Sequence, residues 1–325
     1  MSRIEKTIAR QQQKIEEGQF YEAHQQLRVI ASRYVKQSDF ASAIDILSSG
    51  AQGLLKAGQG GSGGDLALFL LDVYAKAEAK PDAAHKARLL SLLRAFPKRE
   101  PTRKRVISEM IAWSSKYGEY PAGDPELHHV AGTLYAEEDE AYDAERHLVL
   151  GTKDSPEVLA RLEYEWYTEN DSHTAPIFAA RAVLPYLLTG NVRAANKALL
   201  LFTSRLQQAN PGLAVQEVSS QSSDLRVYPS LPLLNFLGLL LLALQRGSSD
   251  LFRMLKSHYA SHLREVGEWD EALTQIGEMY FGIKQPTQSN PLMDMMGQFL
   301  MGGGGGGGAK KPSRQVGGPP APAVD

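Results

Sequence analysis

Apolar residues recur at steps of three and four through most of this chain. Phe20, Ala23, Leu27, Ile30 and Tyr34 step by 3, 4, 3 and 4, which lays one stripe along an α-helix. At roughly 100° per residue, Tyr21, Gln25, Arg28 and Ser32 point the other way, with His24 at their edge. Gly18 predicts a break before this helix, and Ala23 is small enough to admit a close neighbour. One such helix cannot bury its stripe alone and needs a stack. Ile4, Ile8 and Ile15 predict a first helix over 2–17. Ser38-Asp39 predicts the cap of a third, with the stripe Phe40, Ala43, Ile44, Leu47, Ala51, Leu54 and Leu55. The opening Asp39-Phe40-Ala41-Ser42-Ala43 echoes Gln19-Phe20-Tyr21-Glu22-Ala23 after twenty residues (39 − 19). Looser echoes at 140–144, 191–195 and 268–272 have irregular gaps, so the pattern is a degenerate helical repeat.

Gly58 to Asp65 reads as a flexible loop ending in a cap. Further helices are expected near 65–79, 82–95, 100–117, 125–136, 140–150, 156–169, 174–189, 191–209, 231–244, 250–264 and 268–282. Asp124-Pro125 and Ser155-Pro156 read as cap and first turn, Ser230 and Ser249-Asp250 as later starts, and Pro185 as a kink. Between Pro211 and Pro229 the chain is polar and rich in Ser. There Gln216-Glu217-Val218 and Leu225-Arg226-Val227-Tyr228 predict a small hairpin, with a long surface loop as the alternative. Residues 284–301 form an amphipathic segment expected to dock on the body, and the Gly/Pro-rich tail from Gly302 is expected to be disordered. The fold expected is all-α, a right-handed α-solenoid of about fourteen TPR-like helices with a β-hairpin near 215–228. Its N-terminal half is 1–150, its C-terminal half 151–301 and its tail 302–325.

Composition narrows the function. With 43% hydrophobic and 22% charged residues, the 325-residue chain has globular composition. A net charge of −2 argues against whole-chain electrostatic binding to nucleic acid or membrane. The absence of cysteine excludes disulfides and thiolate catalysis. No apolar core of a signal peptide stands in Met1 to Gly18. Leu231 to Leu244, with Pro232 and Asn235 inside it, is shorter than the about 20 residues a membrane span needs, and reads as a helix buried on all sides.

Candidate chemistry is sparse. The glycine run lacks the Gly-Lys-Ser/Thr of a phosphate loop. His128-His129 has no further ligand at metal-binding spacing and reads as solvent-facing or capping. Glu137-Glu138-Asp139-Glu140 reads as a solvated acidic turn, and no nucleophile elbow is present. No catalytic residue, cofactor or metal is expected. Lys98, Arg99, Arg103, Lys104 and Arg105 read as a solvated helix start or a patch for an acidic protein. Nucleic acid ranks below these because no aromatics interleave. The outward Tyr21, His24, Gln25 and Arg28 have the composition of a binding hot spot.

Taken in order, several segments carry a resemblance. They are Phe20 to Arg28 with Arg33-Tyr34, Gln59 to Leu66, Gly123 to His128, Ala144 to Ser155, Leu234 to Leu241 and Asp294 to Leu300. Through them the chain resembles the Golgi-to-ER traffic protein four family, the α-solenoid adaptor of the guided-entry pathway for tail-anchored proteins. The tail from Gly302 departs from that pattern. The resemblance implies a cytosolic, non-enzymatic adaptor for client handover to the ER membrane. N-terminal helices would bind the targeting ATPase, through Lys14, Tyr21, His24, Gln25, Arg28 and, more weakly, Asp72 and the basic cluster. C-terminal helices would hold the N-terminal segment of a ubiquitin-like partner, which recruits a co-chaperone. Val218, Leu225, Val227, Tyr228, Leu231, Leu234 and Phe236 are the residues expected there. A helical-repeat scaffold of an unrelated complex is the competing reading, followed by an enzyme with a site on the concave surface.

Overall fold

The turn after the first helix sets the pattern of the N-terminal stack. Helix α1 (Arg3–Glu16) ends where Gly18 takes φ +80°. The N–H groups of Gly18 and Gln19 then donate back to the carbonyls of Ile15 (3.0 Å) and Lys14 (2.8 Å). This closure satisfies end carbonyls and needs one left-handed residue, which glycine takes at least cost. Helix α2 (Phe20–Lys36) follows at once. The closure recurs at Ser38, Gly58 and Glu78, with φ of 58°, 76° and 49°, so residues 18, 38, 58 and 78 mark an even step of twenty. Helices α3 (Phe40–Lys56) and α4 (Gly60–Lys76) fill two of these steps. Asp39 caps α3 as expected, accepting from the Ser42 N–H at 3.2 Å.

The structure is a computed structural model; it describes residues 3–220 and 223–283, without the side chains of 219–225. The expected loop at Gly58–Asp65 is a correction: Gly60-Gly61-Ser62-Gly63-Gly64 is the opening of α4. The glycines serve packing. A Cβ on Gly63 would lie 2.5 Å from Leu55 Cγ, and one on Gly64 2.5 Å from Thr102 Cγ2. Contact at this range pulls α4 onto α3 and α6 and outweighs the poor helix propensity of glycine. Asp65 therefore lies inside the helix and caps nothing.

The stack continues through α5 (Ala83–Ala95), α6 (Pro101–Tyr117), α7 (Pro125–Ala136), α8 (Ala141–Leu148) and α9 (Ser155–Thr168). After a 3₁₀ turn at Ser172–Thr174 come α10 (Ala175–Leu188) and α11 (Val192–Ala209). Strands β1 (Gln216–Ser220) and β2 (Ser223–Val227) precede α12 (Pro232–Arg246), α13 (Ser249–His258), α14 (Ala260–Glu265) and α15 (Trp269–Phe281). Almost every helix packs on neighbours one to three positions away in the chain, which is the arrangement of a solenoid of helical hairpins. The described residues contain fifteen α-helices, because the expected 250–264 helix breaks at Tyr259. Helix α10 runs unbroken through Pro185.

Two caps are corrections. Ser155 is the first residue of α9 and its hydroxyl meets His129 Nδ1 at 2.9 Å, while Ser230 caps nothing. Helix α13 starts at Ser249 as expected, with Ser248 as its cap. A polar knot around the buried Glu163 ties α8, α9 and α10. Arg181 of α10 donates to Glu145 (2.8 Å), lies 3.3 Å from Glu163, and stacks on Tyr142 and Trp166. Burial, reinforced by Glu145, pushes the Glu163 carboxyl well above its ordinary value, with the Arg181 guanidinium opposing that rise. The 284–301 segment and the tail lie outside the described residues.

Candidate protein-interaction surfaces

Helix α2 turns two of its polar side chains toward α4. Asp65 accepts from His24 Nε2 at 2.8 Å and from Arg28 Nη1, and the Arg28 guanidinium sits 5.7 Å from the Phe69 ring centre. Because His24 Nε2 faces a carboxylate it carries the proton, so its Nδ1 accepts from the Gln25 amide at 3.4 Å. Burial alone would raise the Asp65 carboxyl, but the bonds from Arg28 and His24 outweigh it and hold it below its ordinary value. The expected outward face is thus only partly outward. The Tyr21 ring is 76% exposed and Gln25 is exposed, while the His24 side chain is only 13% exposed. Lys14 pairs with Glu22 at 3.1 Å. Asp72, seven residues beyond Asp65 on the same stripe of α4, pairs with Lys76 at 2.6 Å. Sequence reasoning missed Asp65 because it assigned that residue to a loop end.

The basic cluster is not a free patch. Arg103 is buried and clamps Glu138, with Nη1 donating to Oε1 at 2.9 Å and Nη2 to the other oxygen, and the Arg99 N–H adds a bond of 3.2 Å. Lys104 bonds Glu140 and Asp143, each at 3.1 Å. The expected solvated helix start and solvated acidic turn are thus corrected at Arg103 and Glu138, which form one buried clasp, while Lys104 joins Glu140 and Asp143 at the surface. Lys98, Arg99, Lys104 and Arg105 are exposed.

His128 is also a correction, since it is buried rather than solvent-facing. Its Nε2 lies 3.0 Å from the Ala122 carbonyl and must donate, so its Nδ1 accepts from His147 Nδ1 at 2.9 Å. Among the described residues no group of three or more ligating side chains could hold a metal ion. Burial depresses both imidazoles; for His147, with the His128 charge adding to it, the value falls to about 4. The unfolded chain, with imidazoles near 6.5, then binds more protons than the folded one. Stability contributed by the neutral pair is full above that value and is lost as pH falls toward 4. Urea midpoints measured between pH 7 and 5 should fall in the parent and fall less in His147→Gln. Parallel slopes would show that the pair is not the titrating unit.

At the other end of the described chain, β1 and β2 pair antiparallel from Gln216↔Val227 to Ser220↔Ser223, with Val218 opposite Leu225. The expected hairpin therefore forms. Asn235 fastens it to α12: the Tyr228 N–H donates to Asn235 Oδ1 (2.7 Å), and Asn235 Nδ2 donates to the Tyr228 carbonyl (2.8 Å). This pair of hydrogen bonds explains Asn235 inside the apolar run Leu231–Leu244. Helix α12 is not buried on all sides, since Leu233, Leu239 and Leu242 are half-buried. Among the described residues no helix is long and apolar enough to cross a membrane.

Val218 is 52% exposed and Val227 half-buried, whereas Tyr228, Leu231, Leu234 and Phe236 are buried; the Leu225 side chain lies outside the described ones. A cavity of about 420 Å³ opens between α11 and α12, lined by Leu199, Leu200, Thr203, Arg226, Tyr228 and Leu241 among others. The Tyr228 hydroxyl is buried without a hydrogen-bond partner among the described residues.

Comparison with known proteins agrees with this geometry. A family model described as Golgi to ER traffic protein 4 matches residues 37–300. Golgi to ER traffic protein 4 of Aspergillus fumigatus is 62% identical over 314 residues, covering 93% of this chain and 91% of that protein. Its namesake in Schizosaccharomyces pombe is 35% identical over 283 residues, covering 87% of this chain and 91% of that protein. The crystal structure of C. therm. Get4 matches with a TM-score of 0.86 and 57% identity, covering 97% of this chain and 100% of that one.

Proposed function

The chain belongs to the Golgi to ER traffic protein 4 family, which is a family of traffic proteins and not of enzymes, and from that premise we propose that it is a cytosolic adaptor in tail-anchored protein targeting. Its N-terminal half, 1–150, holds the targeting ATPase. Its C-terminal half, 151–301, holds the N-terminal segment of a ubiquitin-like partner, which brings a co-chaperone and promotes client handover for insertion into the ER membrane. The observation that carries the first part is the α2–α4 face. An exposed Tyr21 and Gln25 stand beside an Arg28–Asp65–His24 cluster whose geometry is fixed by hydrogen bonds. An arginine held in place beside an exposed tyrosine presents contact area with little of the arginine's entropy left to lose. The second part is supported by the hairpin, whose Val218 is exposed and whose Arg226, with Tyr228 just beyond it, lines the cavity against α12.

An adaptor of this kind acts by position. Holding two partners raises their concentration for each other to about the millimolar scale when geometry permits. The test is binding to the pathway's ATPase, with and without nucleotide. Tyr21→Ala removes an exposed ring and should weaken binding about tenfold with the melting temperature unchanged. Arg28→Glu, which also sets two carboxylates together at Asp65, should weaken it further. Parent and variants binding alike would move the face elsewhere, and no binding by the parent at low salt would remove the ATPase from the reading.

A further inference from the structure

Between the start of α8 and the far end of α9 lies a cavity of about 460 Å³ walled by two aromatic rings. Tyr142, 66% exposed, and the half-buried Trp166 meet edge-on, with ring centres 5.6 Å apart and planes at 89°. The pair already takes one cation. The Arg181 guanidinium sits 5.0 Å from the Tyr142 ring centre and 4.7 Å from that of Trp166, yet Arg181 does not line the cavity. Around the rings stand five carboxylates and no basic side chain. Asp139, Glu140 and Asp143 come from the turn into α8 and its first residues. Glu165 and Glu169 share one stripe of α9 with Leu162 and Trp166.

Local structure accounts for only part of this charge. Lys104 bonds Glu140 and Asp143, and carboxylates there suit the positive end of the α8 dipole. Glu165 lies in the last turn of α9 and Glu169 at its C-cap, which is the negative end, and that turn has no basic residue. Arg161 comes only within 4.0 Å of Glu165, and Asp139 and Glu169 form no ion pair among the described residues. A cation in the cavity relieves this repulsion. A metal ion is not the guest, since among the described residues no group of three or more ligating side chains could hold one. The carboxylates are spread along the walls, so the guest must carry its charges apart, with an apolar stretch between them for Tyr142, Trp166 and Leu162. Apart from the Tyr142 hydroxyl and the Trp166 N–H, the polar side chains of the lining only accept hydrogen bonds. A chain of ammonium donors and methylenes meets each requirement, whereas a peptide adds carbonyls with few donors to receive them. We propose that the α8–α9 cavity binds a linear aliphatic polyamine, with its ammonium groups on the carboxylates and its methylenes against the rings. None of its lining residues belongs to the α2–α4 face or to the hairpin cavity.

Spermidine is the probe, titrated into the full-length protein at low salt. Trp113 and Trp269 are buried and Trp166 is half-buried, so a change in tryptophan emission should report the cavity. That change should saturate, and Trp166→Phe should abolish it. By calorimetry, Glu165→Gln/Glu169→Gln should weaken binding about tenfold, and Tyr142→Ala about two- to fivefold. Magnesium chloride should weaken it no more than sodium chloride of the same ionic strength. Thermal melts confirm that each variant is folded. No binding at millimolar spermidine, an emission change that persists in Trp166→Phe, undiminished affinity in the double glutamine variant, or displacement by magnesium beyond the salt effect would overturn the proposal. Tighter binding of acetylated, amidated tri-lysine than of spermidine would overturn it as well, and would mark the cavity as a site for the basic segment of a protein.

Discussion

Replacing Arg103 with methionine is expected to remove about 3–5 kcal/mol of unfolding free energy. Total stability of a folded protein is commonly about 5–15 kcal/mol, so this one side chain decides a large share. Arg103 and Glu138 are both buried, and the guanidinium meets the carboxylate through two nitrogens. Methionine fills much of the volume but leaves Glu138 in an apolar site with only the Arg99 N–H. The loss comes from that stranded charge more than from the attraction removed. It follows that Arg103→Met/Glu138→Met together should be more stable than Arg103→Met alone, because no buried charge remains. A double variant less stable than the single one would show that a stranded Glu138 charge is not the cause of the loss.

Acid gives a second reading of the same pair. Burial raises the Glu138 carboxyl, but the Arg103 and Arg99 bonds outweigh it and hold it below its ordinary value. The unfolded carboxyl, near 4.3, binds protons first on acidification. The stabilisation is therefore complete above that value and is lost as pH falls through the folded one. In Arg103→Met the carboxyl loses its cation and titrates upward, so acid relieves the stranded charge. The gap between parent and variant in urea should accordingly narrow from pH 6 to pH 3. A constant gap would mean that Glu138 is not the group responsible.

Periodicity carried the helices and the stack, because a 3.6-residue stripe survives in almost any neighbourhood. Where it failed, tertiary contact overrode local preference. Gln59-Gly60-Gly61 is the third member of the series that begins with Gln19-Phe20-Tyr21 and Asp39-Phe40-Ala41, twenty residues on each time. Glycine hid it, since glycine has no side chain to show a stripe and its propensity argues for a loop. The same error hid Asp65 and with it the partner of His24 and Arg28. The clasp between the basic cluster and the 137–143 turn joins residues 35 apart in sequence at Arg103 and Glu138, a distance no local pattern encodes. His128 and His147 are 19 apart and meet only because α7 and α8 pack as a hairpin. The β-hairpin was legible, as its register follows from two short runs around a polar turn.

Gly63→Leu is expected to cost about 3 kcal/mol or more, and the sign of smaller changes beside it separates packing from propensity. By propensity alone, every glycine near the start of α4 should be improved by alanine, by up to about 1 kcal/mol. At Gly61 nothing lies within 4 Å of an added Cβ, so Gly61→Ala should stabilise by a few tenths to about 1 kcal/mol. At Gly63 the added Cβ meets Leu55 Cγ at 2.5 Å and the Ala51 carbonyl oxygen at 3.1 Å. The leucine tip can turn aside, but the carbonyl belongs to the backbone of α3 and cannot. Gly63→Ala should therefore destabilise by about 1–2 kcal/mol, the overpacking strain less the propensity gain. A leucine must part α3 from α4. That movement reaches the candidate ATPase face, because Asp65, two residues on, is the anchor that His24 and Arg28 hold. Binding at that face should weaken in Gly63→Leu and be unchanged in Gly61→Ala, each assayed well below its own melting temperature. If Gly63→Ala proved as stabilising as Gly61→Ala, close approach would not be the reason for the glycines.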